Sequence, residues 1–199
     1  FTLAEARKTA GFWLFSIPLA LYALYITGFT FHLVSLFEHA GLTKEKALAI
    51  FIPSSVISVT ISLIGGYISD RIKLKYLLYI CLGAQILALF SMGNLEHEVF
   101  YYGYIVGNGI VAGIYNVLMA VTWPRFYGRQ NLGRITGFVM SIIVFASALG
   151  PVLFSFSLSQ LGSYNYSIFG LAGIVAIFAL FSKKADNPQD KLELLNKFS

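Results

Sequence analysis

Hydrophobic residues in this chain occur in long uninterrupted runs rather than in short amphipathic patterns. The run 11–36 contains one ionisable side chain, His32, and the run 51–69 contains none. A hydrocarbon core of ~30 Å is crossed by about 20 helical residues at 1.5 Å per residue. The pattern therefore predicts six transmembrane spans, at residues 12–37, 47–69, 76–92, 99–123, 135–157 and 164–181.

The same runs decide between helices and a barrel. Backbone polar groups in lipid must be hydrogen-bonded internally, so only helices or a closed barrel can span the bilayer. Barrel strands alternate apolar and polar residues over ~10 positions, whereas these runs are longer and apolar throughout. We predict an all-α integral membrane protein, with a six-helix bundle over residues 1–182 and a polar cytoplasmic tail over 183–199.

The distribution of positive charge predicts the orientation of the bundle. Twelve of the fourteen lysines and arginines precede span one, follow span six, or lie between spans two and three or four and five. Only Lys44 and Lys46 lie on the other side, together with the acidic loop that holds Glu96 and Glu98. The positive-inside rule places the first group, and hence both termini, in the cytoplasm.

Composition and motifs narrow the function classes further. The chain is 57% hydrophobic and 12% charged, well outside the range of soluble domains. Its cations lie in short loops rather than in a basic stripe, so we expect the lipid bilayer and not nucleic acid as a partner. The chain contains no H-E-x-x-H, G-x-S-x-G or P-loop motif, and Glu96-His97-Glu98 is more typical of a solvated loop than of a metal site. We expect no enzymatic activity, no metal and no cofactor.

Polar residues inside the spans are the candidates for a solute path, because such groups are costly in lipid. The imidazole of His32 could bind a solute, carry a coupled proton or bridge two helices, and these alternatives stay open. Serines at four-residue spacing in span two fit either a cavity wall or tight helix packing. The candidate path residues are His32, Tyr25, Ser54, Ser58, Asn108, Tyr115 and Asn116.

Small residues at four-residue spacing let helices approach closely. Span four has two such glycine pairs, so we predict that it is held tightly between two neighbouring helices, and that Pro124 ends it. Helix packing is the simpler reading of these pairs, and sliding surfaces for a conformational cycle are the alternative. The pairs are Gly103/Gly107, Gly109/Gly113 and, at the start of span five, Gly133/Gly137.

The loop between spans two and three, residues 66–75, resembles the G-x-x-x-D-R/K-x-G-x-R/K-R/K loop of the major facilitator superfamily. It matches at Gly66, Asp70, Arg71 and Lys75, while the second glycine and the final basic residue are replaced. The loop is either a topological anchor or a conformational lock. In the lock, Gly66 lets the helix end approach a neighbour and Asp70 accepts N–H groups at a nearby helix N-terminus.

Residues 123–137 resemble the helix-ten to helix-eleven connection of the monocarboxylate- and oxalate/formate-transporter-like branch of that superfamily, and residues 12–13 and 28–33 resemble its helix seven. The resemblance implies that the six spans are helices seven to twelve of a twelve-helix transporter. The missing N-terminal half would then be a partner, and spans three and six would face lipid. The basic residues of this second loop join the candidate lock, namely Arg125, Arg129 and Arg134.

The resemblance implies a secondary active transporter that moves a small solute by alternating access, as a symporter or antiporter in a bacterial cytoplasmic (inner) membrane. An organic acid is one candidate solute, with a proton as a coupled ion. Branch members that carry carboxylates commonly have a basic residue in helix eight or eleven, and spans 47–69 and 135–157 have none. The opening at Phe1 suggests that the chain has lost its beginning. The alternative is a self-contained six-helix channel, scaffold or homodimer.

Overall fold

The computed structural model describes residues 1–190, and within this range all regular structure is helical. Six helices, with α3 and α4 counted together, are long and apolar enough to cross a membrane. The predicted all-α, six-span fold class is therefore confirmed. Residues 191–199 of the predicted tail lie outside the described range. The helices are α1 Leu3–Ala6, α2 Ala10–His39, α3 Lys44–Ala49, α4 Phe51–Ser69, α5 Leu74–Met92, α6 Glu98–Tyr127, α7 Leu132–Leu161 and α8 Asn165–Phe181, followed by the 3-10 turn Ser182–Lys184.

Local chemistry moves two helix boundaries away from the predicted ones. The second span begins at Lys44, because the Thr43 hydroxyl caps this end and accepts a hydrogen bond from the Lys46 amide at 3.4 Å. The prediction that Pro124 ends span four is wrong, since α6 continues to Tyr127. A proline so close to a helix end removes a single backbone bond, and Gly128, at φ 76°, then ends the helix.

Helix α6 lies between α4 and α5, as its glycine pairs predicted. A Cβ built at Gly113 would lie 2.7 Å from Ile61 Cβ on α4, and one at Gly107 would lie 2.9 Å from the Ala88 amide nitrogen on α5. Such distances are shorter than carbon contacts allow, so only glycine permits both approaches. The other members of the two pairs make equally close approaches, Gly109 to α4 and Gly103 to α5.

Helices α2 and α7 form the second close pair of the bundle. They cross where Gly28 faces Gly150, because a Cβ at Gly28 would lie 2.9 Å from the Gly150 carbonyl oxygen. One residue before this crossing on α2, the Thr27 hydroxyl is 2.8 Å from the hydroxyl of Ser147. Small residues therefore bring the two helices together immediately before Pro151.

Helix α5, expected to face lipid, is enclosed on much of its circumference. Eleven of its nineteen residues are buried, and it contacts α6 on one side and α8 on another. Gln85 is fully buried and donates a hydrogen bond from Nε2 to the Pro18 carbonyl at 3.3 Å. A buried amide needs such a partner, so Gln85 joins α5 to α2 inside the bundle.

Helices α4 and α7 are the least covered. Three of the nineteen residues of α4 and six of the thirty of α7 are buried. At Gly133 and Gly137, near the start of α7, an added Cβ would meet nothing within 4 Å. These two helices therefore present long apolar sides to whatever surrounds this chain, including Ile52, Val59 and Leu63 on α4 and Val144, Phe145 and Val152 on α7.

Candidate functional site

The antiparallel helices give the bundle two distinct ends. We call the end that holds His39 and the loop at Glu96 the His39 end. The end that holds the loop at Arg71 and the chain leaving α8 is called the Arg71 end. The N-terminus belongs to the Arg71 end, because the Asn131 amide just before α7 donates to the Phe1 carbonyl at 3.0 Å. The candidate residues fall into three groups along this axis.

His32 joins three helices near the His39 end. Its Nε2 lies 3.1 Å from the carbonyl oxygen of Pro151 on α7, and its Nδ1 lies 3.0 Å from the hydroxyl of Tyr164 at the start of α8. A carbonyl oxygen can only accept, so Nε2 carries a hydrogen and donates it to Pro151. The ring also stacks on Phe154, with interplanar angle 19°.

A second hydroxyl continues this contact toward the His39 end. The Tyr164 oxygen lies 3.0 Å from the hydroxyl of Ser35, one turn beyond His32 on α2. Tyr164 is buried, with 4% of its surface exposed, so its hydroxyl has no bulk solvent to satisfy it. His32, Tyr164 and Ser35 form one hydrogen-bonded network, which we call the His32 network.

Two openings lie beside the His32 network. On one side is an open cavity of about 500 Å³, lined by His32, Pro151, Val152, Ser155, Phe156 and Ser159. On the other, at the His39 end, is a depression of about 150 Å³ to which His39, Glu96 and Tyr164 contribute. Tyr164 lines the depression and His32 lines the cavity, so the His32 network connects the depression to the cavity.

Aromatic rings fill the region between α2 and α6. The ring of Tyr22 lies 5.3 Å from that of Tyr25 and 5.0 Å from that of Tyr115, and the ring of Tyr104 lies 4.5 Å from that of Phe29. We call these five residues the aromatic seam. The hydroxyls of Tyr25 and Tyr104 are buried without a hydrogen-bond partner within residues 1–190.

The remaining path candidates divide between packing and exposed positions. Ser54 is buried and donates to the Ile105 carbonyl of α6 at 3.3 Å. Ser54 therefore joins α4 to α6 through its side chain, while Ser58 contributes only its backbone oxygen, which lies against Gly113. Asn108 is half-buried, its Oδ1 has no partner in the described part of the chain, and Asn116 is exposed.

At the Arg71 end, the basic residues of the lock candidates bind within this chain. Lys75 pairs with Asp186, beyond α8, at 2.6 Å, which is the one ion pair among residues 1–190. Arg125 on α6 donates to the Ser69 carbonyl at the end of α4 at 2.5 Å. Arg71 lies over the ring of Tyr67, 3.7 Å from its centroid.

The other lock residues lie differently from our expectation. We expected Gly66 to let α4 approach a neighbour, but the contact belongs to Gly65, whose Cβ would lie 3.3 Å from Val117 Cγ2. Asp70 is exposed and, within the described chain, is not hydrogen-bonded to a helix N-terminus. It lines a depression with Arg125 and Arg129, while Arg134 is exposed in the first turn of α7.

Three residues of these sites were missed by sequence reasoning. Tyr164 lies just before α8, in a position that reads as the polar end of a span. Asp186 belongs to the tail, which carries no motif. Tyr22 lies one turn before Tyr25 on the same helix face, and this Tyr-x-x-Tyr spacing is the one signal that could have revealed it.

Comparison with known proteins gives one curated relative. The chain is similar to the benzoate transport protein of Acinetobacter baylyi (strain ATCC 33305 / BD413 / ADP1), with 26% identity over 201 aligned positions. The alignment covers 97% of this chain and 42% of that protein, so the chain spans less than half of the relative's length. No protein-family model matches the chain.

Proposed function

We propose that this chain is the six-helix C-terminal half of a twelve-helix secondary active transporter of the major facilitator type. One observation carries the proposal: 97% of this chain, with its six apolar helices, aligns with 42% of the length of a benzoate transport protein. Transporters of this class bind their solute between two six-helix halves. A single half cannot enclose such a path, so the activity belongs to the longer protein.

The exposure of α4 and α7 supports this division. Their uncovered sides are long and apolar, and the glycines at the start of α7 have open space around them. Small residues without neighbours in this chain suit close approach to another helix. We assign the other half of the transporter as the partner of α4 and α7.

An organic acid, such as an aromatic carboxylate, is the proposed solute. The relative's name supplies the chemical class, and the aromatic seam supplies ring faces on which an aromatic solute could stack. The spans of this half contain no lysine or arginine away from their ends. A permanent cation for the carboxylate would therefore come from the other half.

We assign the Arg71 end to the cytoplasm on the positive-inside rule. In this orientation the Lys75–Asp186 pair and the Arg125–Ser69 bond fasten the cytoplasmic ends of α4, α5, α6 and the chain after α8. Such contacts are suited to a lock that opens when the cytoplasmic side of the path opens. Two single-cysteine variants, Glu96→Cys and Gln130→Cys, test the orientation. A membrane-impermeant maleimide added to intact cells should label Glu96→Cys and should not label Gln130→Cys.

Uptake by the reconstituted full-length protein tests the function. Proteoliposomes with an alkaline interior should accumulate labelled benzoate or a related carboxylate, and the 199-residue chain alone should not. A panel of aromatic and aliphatic acids as competitors defines the solute. Saturable uptake by the 199-residue chain as a monomer would overturn the assignment as half of a transporter.

The rival function is a self-contained six-helix channel, scaffold or homodimer. The apolar sides of α4 and α7 could equally be covered by a second copy of this chain. Native mass spectrometry of the purified 199-residue chain in detergent separates the two proposals. A stable dimer with ion conductance in planar bilayers would favour the rival, and a monomer without conductance would favour the transporter.

A further inference from the structure

His32 is the one side chain within the six predicted spans that can carry a positive charge. The six predicted spans together contain no aspartate, glutamate, lysine or arginine, and His32 is their one histidine. It lies seven residues before the end of α2, or about 10 Å from that end at 1.5 Å per residue. A proton that reaches His32 therefore creates the first positive charge inside the apolar part of this half.

We propose that Ser35 and Tyr164 form a proton relay that delivers protons from the His39 end of the bundle to Nδ1 of His32. This inference deepens the proposed transport function, because it assigns the coupling proton to one residue and gives it a route. The relay consists of two hydrogen bonds of 3.0 Å each, one between Ser35 and Tyr164 and one between Tyr164 and His32.

The Pro151 carbonyl fixes the starting state of the relay. It requires a hydrogen on Nε2, so in the neutral ring Nδ1 is unprotonated and accepts the Tyr164 hydrogen. In the structure Tyr164 donates to Ser35, which is the direction after the proton has passed; before that step the Ser35 hydroxyl turns to donate to Tyr164. When hydronium gives a proton to the Ser35 oxygen, Ser35 passes its own proton to Tyr164. Tyr164 passes its own proton to Nδ1. Each hydroxyl gains one proton and loses one, and the imidazole becomes imidazolium.

The arrangement after proton transfer, in which Tyr164 donates to Ser35 as it does in the structure, is also fully hydrogen-bonded. The new Nδ1–H donates to the Tyr164 oxygen, Tyr164 donates to Ser35, and Nε2–H keeps its bond to the Pro151 carbonyl. Neither protonation state leaves a group of the His32 network without a hydrogen-bond partner. A buried polar group that loses its partner is costly, and the relay avoids that cost in both states.

The groups around His32 include no lysine or arginine. On α2, Glu38 and His39 follow at the exposed end of the helix, and Glu96 lines the same depression as His39. From α7 the ring meets Pro151 and Phe154, which do not titrate, and from α8 it meets Tyr164. Helices α2 and α8 contain no lysine or arginine, and the one arginine of α7 lies at the Arg71 end.

The relay explains how a half without a fixed cation can contribute to carriage of an anion. His32 also lines an open cavity of about 500 Å³, to which neither Tyr164 nor Ser35 contributes. An imidazolium there attracts a carboxylate, and a neutral imidazole does not. Protonation would then come before binding of the anion, and the two would cross together.

Transport assays on the reconstituted full-length protein separate the relay from solute binding. Tyr164→Phe and Ser35→Ala remove single hydroxyls and keep the side-chain packing, and Tyr166→Phe, an exposed tyrosine of the same helix, is the matched control. Acid-driven accumulation of labelled benzoate should fall at least tenfold in Tyr164→Phe. Counterflow of benzoate at equal pH should stay within twofold. The relay would be overturned if Tyr164→Phe lost accumulation and counterflow equally, or if it accumulated benzoate as the wild type does.

A measurement without any solute decides the relay independently. The full-length protein is labelled with ¹⁵N-histidine in lipid nanodiscs, and His32 is assigned with His32→Gln. Its ring should carry the hydrogen on Nε2 at alkaline pH and become doubly protonated on acidification. A ring protonated on Nδ1, or one that does not titrate between pH 5 and 9, contradicts the proposal. If the His32 spectra are as expected but the full-length protein does not take up benzoate, the proton site is retained and benzoate is refuted as the solute.

Discussion

Replacing Gly113 with alanine tests how closely α6 is held against α4. The new Cβ would lie 2.7 Å from Ile61 Cβ and 2.7 Å from the backbone oxygen of Ser58. Carbon atoms in contact are normally ~3.5–4.0 Å apart, so α4 must move away by about 1 Å. Because one of the obstructing atoms belongs to the backbone, no change of rotamer can relieve the clash.

The expected magnitude follows from two opposing effects. Overpacking a tight contact costs roughly 1–3 kcal/mol, and alanine gains up to ~1 kcal/mol over glycine in a helix. The obstructing backbone oxygen of Ser58 places this variant in the upper part of that range, at ~2–3 kcal/mol. The net loss is then about 1–2 kcal/mol, which for a chain of this size lowers Tm by roughly 2–8 °C. The measurement is differential scanning fluorimetry of the purified 199-residue chain, with tryptophan emission as the signal.

Gly137→Ala is the matched control for this variant. It is also a helical glycine in a four-residue pair, but its Cβ would meet nothing within 4 Å in this chain. Its Tm should therefore stay the same or rise. The reasoning fails if both variants lose stability equally, or if Gly113→Ala is as stable as the wild type.

Three further predictions concern other contacts. Gly103→Ala should lower Tm because its Cβ would lie 2.6 Å from Ser91 Oγ, and adding Ser91→Ala should restore most of the loss, since the next atom is 3.5 Å away; failure of this rescue would contradict the geometry. Lys75→Glu should lower Tm only slightly, because solvent-exposed ion pairs contribute little to stability. Asp186→Lys in the same protein should recover this loss at low salt but not at 1 M NaCl. Cys81, the one cysteine of this chain, is buried, so maleimide should label the 199-residue chain only after unfolding in SDS; labelling of the folded chain would refute its burial.

Run lengths allowed the fold class and the six spans to be predicted, because lipid imposes a length and a polarity that few other structures share. Close helix contacts were predicted from the glycine pairs of α6, whereas the pair Gly133/Gly137 meets no other helix of this chain. The choice between Gly65 and Gly66 was beyond the sequence, since neighbouring residues on a helix differ by about 100° in direction. Their motif spacing does not report which of the two faces α6.

The candidate site was predicted in part. His32 was identified because an ionisable residue inside a span is rare, but its partners come from residues 119 and 132 positions away. The serines of α4 showed helical spacing, yet spacing alone cannot tell a cavity wall from a contact with α6 carbonyls. Asp186 had no motif, and only the course of the chain after α8 brings it to Lys75.

Accumulation of a labelled carboxylate by the full-length protein is the most direct test of the central claim. Proteoliposomes at pH 8 inside and pH 6 outside should concentrate labelled benzoate or a competing acid above the external level. A protonophore should abolish this accumulation, and the 199-residue chain should show none. Uptake no greater than that of protein-free liposomes, for every acid in the panel, would contradict the assignment of this chain to a secondary active transporter of organic acids.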